Sequence, residues 1–264
     1  MRCPVFLSLF VFVQLTSRFD THPLCLLCSI AQTHPSPSPF STHIHIIRNP
    51  FTTMRLVLSS LVCMAIAATT AFAGPAPEID EEFQKVTCGS SVKLTHEKSQ
   101  FKLHSHQIPY GSGSGQQSVT GSPVKDDTNS LWLVMAQLGR TCDRGETVPC
   151  GSVVRLKHVN THKYLHSHHH QSPMSGGLEV SAYEGQDDGD NWAVECLNKK
   201  DSFWTRESSV QFRHENTGMY LSSSARHVYS NPIPGQQEVA AHKQHQSDQT
   251  WIAQEGVYFA EREL

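Results

Sequence analysis

Over the last two-thirds of the chain, apolar and polar positions alternate in short runs: Val92, Leu94 and His96, then Val154, Leu156 and His158, then Val210, Phe212 and His214. Alternation of this period, bounded by Gly, Pro, Asn and Asp, marks β-strands with one buried face. Helical periodicity is almost absent. The runs also repeat. "SVKLTHEKSQFKLHSH" at 91–106, "VVRLKHVNTHKYLHSH" at 153–168 and "SVQFRHENTGMYLSSS" at 209–224 align without gaps. His96, His158 and His214 share one position, and Leu103, Leu165 and Leu221 follow them by seven residues. Each copy then passes through a Gly-rich turn ("GSGSGQQSVT", "SGGLEVSAY", "IPGQQEVAAH") and closes on a polar loop and a tryptophan. These closing segments are "DDTNSLWLV" with Trp132, "DDGDNWAV" with Trp192 and "SDQTWIA" with Trp251, the tryptophans being 60 and 59 residues apart.

Three copies of a unit with about four short strands leave no exposed sheet edge only if the sheet closes on itself. The pattern predicts an all-β chain folded as a β-trefoil: a pseudo-threefold, capped, six-stranded barrel with the repeat Leu and Trp side chains inside. A propeller needs four or more blades. The repeats are placed at 80–142, 146–200 and 202–257.

The upstream part reads differently. Residues 1–53 hold an apolar run, "VFLSLFVFVQL", and a Pro/Ser/His stretch without periodicity, and are read as a non-native extension or a disordered segment. Residues 54–73 combine Arg55, an apolar stretch from Leu56 to Ala68 and the small-residue site Ala71-Phe72-Ala73, the composition of a secretory signal peptide. Both apolar runs are shorter than the roughly 20 residues that span a bilayer, so no span is expected in the mature form. Beyond Ala73, 17 Lys and Arg stand against 23 Asp and Glu, a net charge of -6 before His is counted. That balance argues against nucleic-acid binding, which uses a basic patch. Four cysteines follow the cleavage site, Cys88, Cys142, Cys150 and Cys196, and none forms a close zinc-type pair. In an exported chain they predict two disulfides. Neighbouring first and last strands of a trefoil unit favour Cys88–Cys142 and Cys150–Cys196, with a Cys142–Cys150 loop as the competitor.

The runs "VTCGSSVKL", "LHSHQIPYGSGSGQQSVTG" and "PCGSVVRLKHVNTHKYLHSHHHQSPMSG" resemble MIR motifs, the trefoil modules also found in protein O-mannosyltransferases and in inositol trisphosphate and ryanodine receptors. They are similar to the stromal cell-derived factor 2 family, and the resemblance covers roughly residues 85–260. It implies a non-enzymatic protein of the endoplasmic-reticulum lumen, without cofactor, that works in protein quality control. The implied partners are a luminal J-domain co-chaperone, the Hsp70 of that compartment, and misfolded or O-mannosylated clients. A lectin-like carbohydrate-binding module is the alternative, and an accessory role in protein O-mannosylation a second one. The last residues, Glu261, Arg262, Glu263 and Leu264, resemble a K-D-E-L retrieval sequence but keep only its final Glu-Leu.

Candidate chemistry is sparse. No nucleophile elbow, P-loop, dinucleotide fingerprint or HExxH is present, and the acidic pairs Asp126/Asp127 and Asp187/Asp188 occupy matching loops, where Asp forms turns. A ricin-type Q-x-W signature survives only at Gln249-Thr250-Trp251. In a strand, positions two apart share a face, so His104 with His106, and His166 with His168, are expected on an outward face. Repeat 3 carries Ser222 and Ser224 there. The tract at His168, His169 and His170 is the weak metal candidate. A partner surface is expected in grooves between the lobes, lined by Tyr110, Tyr164, Tyr183 and Tyr220 and by the histidine pairs.

Overall fold

The computed structural model describes residues 78–244 and 248–262; the segments at 1–53 and 54–73, and Glu263 and Leu264, lie outside the described residues. The alternating runs become β1 (Ser91–His96), β2 (Lys102–Pro109), β3 (Gln117–Ser122), β4 (Leu131–Ala136), β5 (Val153–His158), β6 (Tyr164–Gln171), β7 (Leu178–Tyr183), β8 (Trp192–Cys196), β9 (Ser209–His214), β10 (Tyr220–Val228), β11 (Gln237–His242) and β12 (Trp251–Val257).

Six of these strands close a ring. Going round it, β1 pairs with β4, β4 with β5, β5 with β8, β8 with β9, β9 with β12 and β12 with β1, all antiparallel. The other six form the hairpins β2–β3, β6–β7 and β10–β11, which meet through β3–β7, β7–β11 and β11–β3. Each hairpin joins the ring at one register: Thr95 opposite Lys102, Lys157 opposite Tyr164, Arg213 opposite Tyr220. This is the pseudo-threefold β-trefoil that the repeats predict.

Alternate positions of the ring strands face the axis. Val92 and Leu94, Val154 and Leu156, and Val210 and Phe212 meet there with Trp132, Trp192 and Trp251, and the hairpins add Leu103, Leu165 and Leu221. All six repeat Leu and Trp side chains are fully buried. A buried indole needs an acceptor for its N–H, and each finds the same one. Trp132 Nε1 donates to Leu103 O, Trp192 Nε1 to Leu165 O and Trp251 Nε1 to Leu221 O, all at 2.9 Å. The last ring strand of every repeat is thereby fastened to the first strand of its own hairpin.

The end of the barrel away from the hairpins is closed by a circle of backbone bonds: Val86 N to Trp204 O at 2.8 Å, Trp204 N to Val148 O at 2.8 Å, and Val148 N to Val86 O at 3.1 Å. Trp204, outside the repeat pattern, plugs this end against Phe212. Beside it, Cys88 is joined to Cys142 and Cys150 to Cys196, with Cα atoms 6.2 and 5.5 Å apart. Each bridge ties the entry of a repeat to its exit, and the Cys142–Cys150 loop is not formed.

Replacing Trp132, Trp192 or Trp251 by Phe leaves a buried carbonyl without its donor, which costs about 1–3 kcal/mol. The three losses should be similar to one another, as read from urea unfolding followed by circular dichroism.

Candidate functional site

The titratable side chains gather where the hairpins cap the ring. His96, His158 and His214 end β1, β5 and β9, almost wholly buried. His158 Nδ1 lies 2.8 Å from Thr161 Oγ1 and its Nε2 2.9 Å from Asn129 O. His214 repeats this with Thr217 Oγ1 at 2.8 Å and Gly189 O at 2.9 Å. His96 Nδ1 lies 2.8 Å from Ser99 Oγ, and the Asp248 backbone faces the ring. The shared pattern fits one neutral tautomer, in which Nε2–H donates to a loop carbonyl and Nδ1 accepts from a hydroxyl. The rings pack on Trp251, Trp132 and Trp192 at centroid distances of 5.1, 5.0 and 4.8 Å. Burial lowers all three pKa values, that of His214 to about 4. These histidines hold the loop that precedes each Trp.

That loop overturns the expected outward placement of the histidine pairs. His104 and His166 do leave the barrel on its outer face, but the turn before the next Trp folds over them and leaves them 3% and 5% exposed. His104 Nδ1 sits 3.3 Å from Asp127 Oδ2, and its Nε2 is 2.9 Å from His106 Nδ1. Burial pushes His104 down to about 4 and His106 in the same direction. His166 Nδ1 lies 3.0 Å from Asp190 Oδ1 and 3.5 Å from Asp187 Oδ1. Burial raises the Asp190 carboxyl, a push that His166 only partly offsets. The aspartates also build their turns: Asp127 accepts from Asn129 N, and Asp187 and Asp190 form a reciprocal capping box.

The tract His168, His169 and His170 does not gather three ligand atoms. His168 Nε2 is 3.0 Å from Glu179 Oε1, His170 meets the His168 ring edge-on, and His169 is exposed. Burial pushes the Glu179 carboxyl up, but hydrogen bonds from His168 and Ser114 outweigh it and hold the group below its ordinary range. Among the described residues, the ligand atoms that converge belong to His166, Asp187 and Asp190, all within 4.8 Å of one another.

The tyrosines also depart from the groove expected of them. Tyr110, Tyr164 and Tyr220 are buried. The Tyr110 hydroxyl lies 2.9 Å from Val180 O and 3.1 Å from Val119 O, Arg155 and Lys157 cover the ring of Tyr164, and Tyr220 donates to Glu195. Only Tyr183 reaches an open cleft, of about 440 Å³, between repeats 1 and 2. A second cavity, of about 570 Å³, lies where Ser222 and Ser224 replace the histidines in repeat 3. Gln249 of the lone Q-x-W triplet is buried and donates to Lys243 O at 2.7 Å, a structural role. The cleft residues Gln107, Gln117, Thr161 and Lys163 went unnoticed in the sequence, where nothing brings them together.

The comparisons with known proteins bear on this site. The MIR domain family matches residues 102–253. Stromal cell-derived factor 2-like protein of Dictyostelium discoideum is 44% identical over 214 residues, covering 78% of this chain and 99% of that one. Human stromal cell-derived factor 2 is 44% identical over 182 residues, covering 68% of this chain and 84% of that protein. The chain belongs to the stromal cell-derived factor 2 family. The crystal structure of the family's Arabidopsis thaliana SDF2-like protein superposes with a TM-score of 0.66 at 44% identity, over 68% of this chain and 99% of that one. The protein O-mannosyltransferase Pmt1-Pmt2 complex of S. cerevisiae, bound to its sugar donor, contains a similar module: 29% identity and a TM-score of 0.61, over 72% of this chain and 28% of that one. Family relatives are named as factors, not enzymes. Among the described residues, no helix is long and apolar enough to cross a membrane.

Neutral buried histidines make stability depend on pH. Their folded pKa values lie below the unfolded value of about 6.5, so the unfolded chain binds more protons in the interval between. The contribution is complete above pH 6.5 and declines as pH falls toward 4, where His104 and His214 titrate in the folded state. Urea midpoints at neutral and mildly acidic pH should fall steadily across that window; a flat profile would remove the neutral assignment.

Proposed function

We propose that this member of the family is a non-enzymatic quality-control factor of the endoplasmic-reticulum lumen. It joins misfolded or O-mannosylated clients to a luminal J-domain co-chaperone and its Hsp70. The observation that carries the reading is the way the trefoil spends its chemistry: the three repeat histidines, His104, His166 and the loop aspartates are engaged with one another or with the backbone. What the chain has to offer is its surface. The signal-like segment at 54–73 supports the compartment, and the MIR module shared with an O-mannosyltransferase supports a mannosylated client. The open cleft beside Tyr183 favours one second reading, a lectin-like module.

The mature chain from Gly74, immobilised and exposed to luminal extract, should retain the J-domain co-chaperone and Hsp70. Recovery of glycoproteins alone, released by free mannose, would move the assignment to the lectin.

A further inference from the structure

We infer that His166, Asp187 and Asp190 form a binding site for one divalent transition-metal ion, zinc before others. The site does not depend on the quality-control reading above and gives the chain a ligand of a different class.

The three residues come from two pieces of chain. His166 stands on β6, and the aspartates belong to the turn that enters β8. The imidazole and the Asp190 carboxylate are nearly inaccessible, with side chains 6% and 0% exposed, whereas that of Asp187 is 55% exposed. A loose group of surface acids would have neither the buried nitrogen nor the buried carboxylate. His166 Nδ1 lies 3.0 Å from Asp190 Oδ1 and 3.5 Å from Asp187 Oδ1, and all three ligand atoms fall within 4.8 Å of one another. Ligands held about 2.0–2.1 Å from a tetrahedral zinc stand about 3.3 Å apart, so two edges of the polyhedron are already in place. The ion would replace the proton between His166 Nδ1 and Asp190 Oδ1, because metal ligands are deprotonated.

The surroundings point the same way. A Cβ at Gly189 would stand 2.9 Å from His166 Nδ1 and 2.4 Å from its Cε1, so the glycine keeps the space beside the ligand nitrogen open. Both carboxylates are aimed from behind: Gly189 N donates to Asp187 Oδ1 at 2.8 Å, and Asp187 N to Asp190 Oδ2 at 3.3 Å. The Tyr183 ring packs on His166 at a centroid distance of 4.9 Å. Contacts of this kind orient metal ligands before the ion arrives. Burial works against the Asp190 carboxylate as an anion, and a cation beside it would offset that cost.

The pseudo-threefold mates lack the set. Repeat 1 keeps His104 and Asp127, but Ser130 stands where Asp190 does and Asn129 where Gly189 does; in repeat 3, Ser222 replaces the histidine and Gln249 the buried aspartate. Repeat 1 closes the same turn with a hydroxyl, Ser130 Oγ at 3.5 Å from His104 Nδ1. Folding the turn therefore does not require the second carboxylate.

One imidazole and two carboxylates also narrow the ion. Calcium takes six to eight oxygens, and copper(I) selects sulfur. Zinc accepts nitrogen and oxygen together, and the exposure of Asp187 leaves its fourth position to water.

The test is a calorimetric titration of the untagged mature chain with zinc chloride. One ion per chain is expected, with a dissociation constant in the micromolar range. Asp187→Asn keeps an oxygen for Gly189 N but removes the charge, and should weaken binding at least about tenfold. Asp190→Ser, which copies repeat 1, should abolish it, whereas His169→Gln combined with His170→Gln should leave it unchanged. X-ray absorption at the zinc edge should show a nitrogen and oxygen shell with the outer scattering of a single imidazole. No heat above dilution, equal affinity for calcium, or binding lost with the His169 and His170 pair and untouched by Asp187→Asn would each overturn the site. Should Asp190→Ser fail to fold, the Asp187→Asn affinity and the single-imidazole signature decide.

Discussion

Each ring tryptophan has one hydrogen to give, and it gives it to the carbonyl of a leucine in the hairpin of its own repeat. The rest of the cap follows from that bond. With Trp132 at 2.9 Å from Leu103 O, the loop entering β4 has to come back across β2, so Asp127 and Ser130 land on His104. With Trp192 fastened to Leu165 O, Asp190 lands on His166 in the same way. The histidine at the end of the ring strand that follows, His158 of β5 for the first loop and His214 of β9 for the second, then holds the loop through its Nε2. Acid–base side chains are close together here because a buried indole needed an acceptor.

The departures from threefold symmetry are therefore more informative than the symmetry. Positions that recur in all three repeats are committed to the core or to the loops. Repeat 3 lacks the histidine pair and a disulfide, and opens a cavity where Ser222 and Ser224 stand. The cleft beside Tyr183 lies at the junction of repeats 1 and 2. Both openings are lined mostly by polar residues, and both sit on a scaffold whose strands are paired on every side within the ring.

Much of this was legible in the sequence. Period-two alternation locates the ring strands, and the gapless alignment selects the Leu and Trp positions, all of which are buried. The burial of His104 and His166 was not legible, because alternation says which face of a strand a residue occupies and nothing about what later crosses that face. Tyr110, Tyr164 and Tyr220 fail as groove residues for a related reason, since their environments are made by residues up to seventy positions away, as with Tyr110 and Val180. The cleft was invisible because Gln107, Gln117, Lys163 and Glu184 belong to four separate segments and carry no spacing of their own.

Closure of the ring also sets an order in time. Leu94 pairs with Ala253, so β1 waits for a strand synthesised 159 residues later. At the pace of translation that is on the order of ten to thirty seconds. Through that interval one row of β1 backbone groups has no strand beside it, and a bare edge is a template for association with other chains. Neither disulfide shortens the wait, since each closes within a single repeat. While it is being made, the chain is itself an unfinished polypeptide of the kind that chaperones hold.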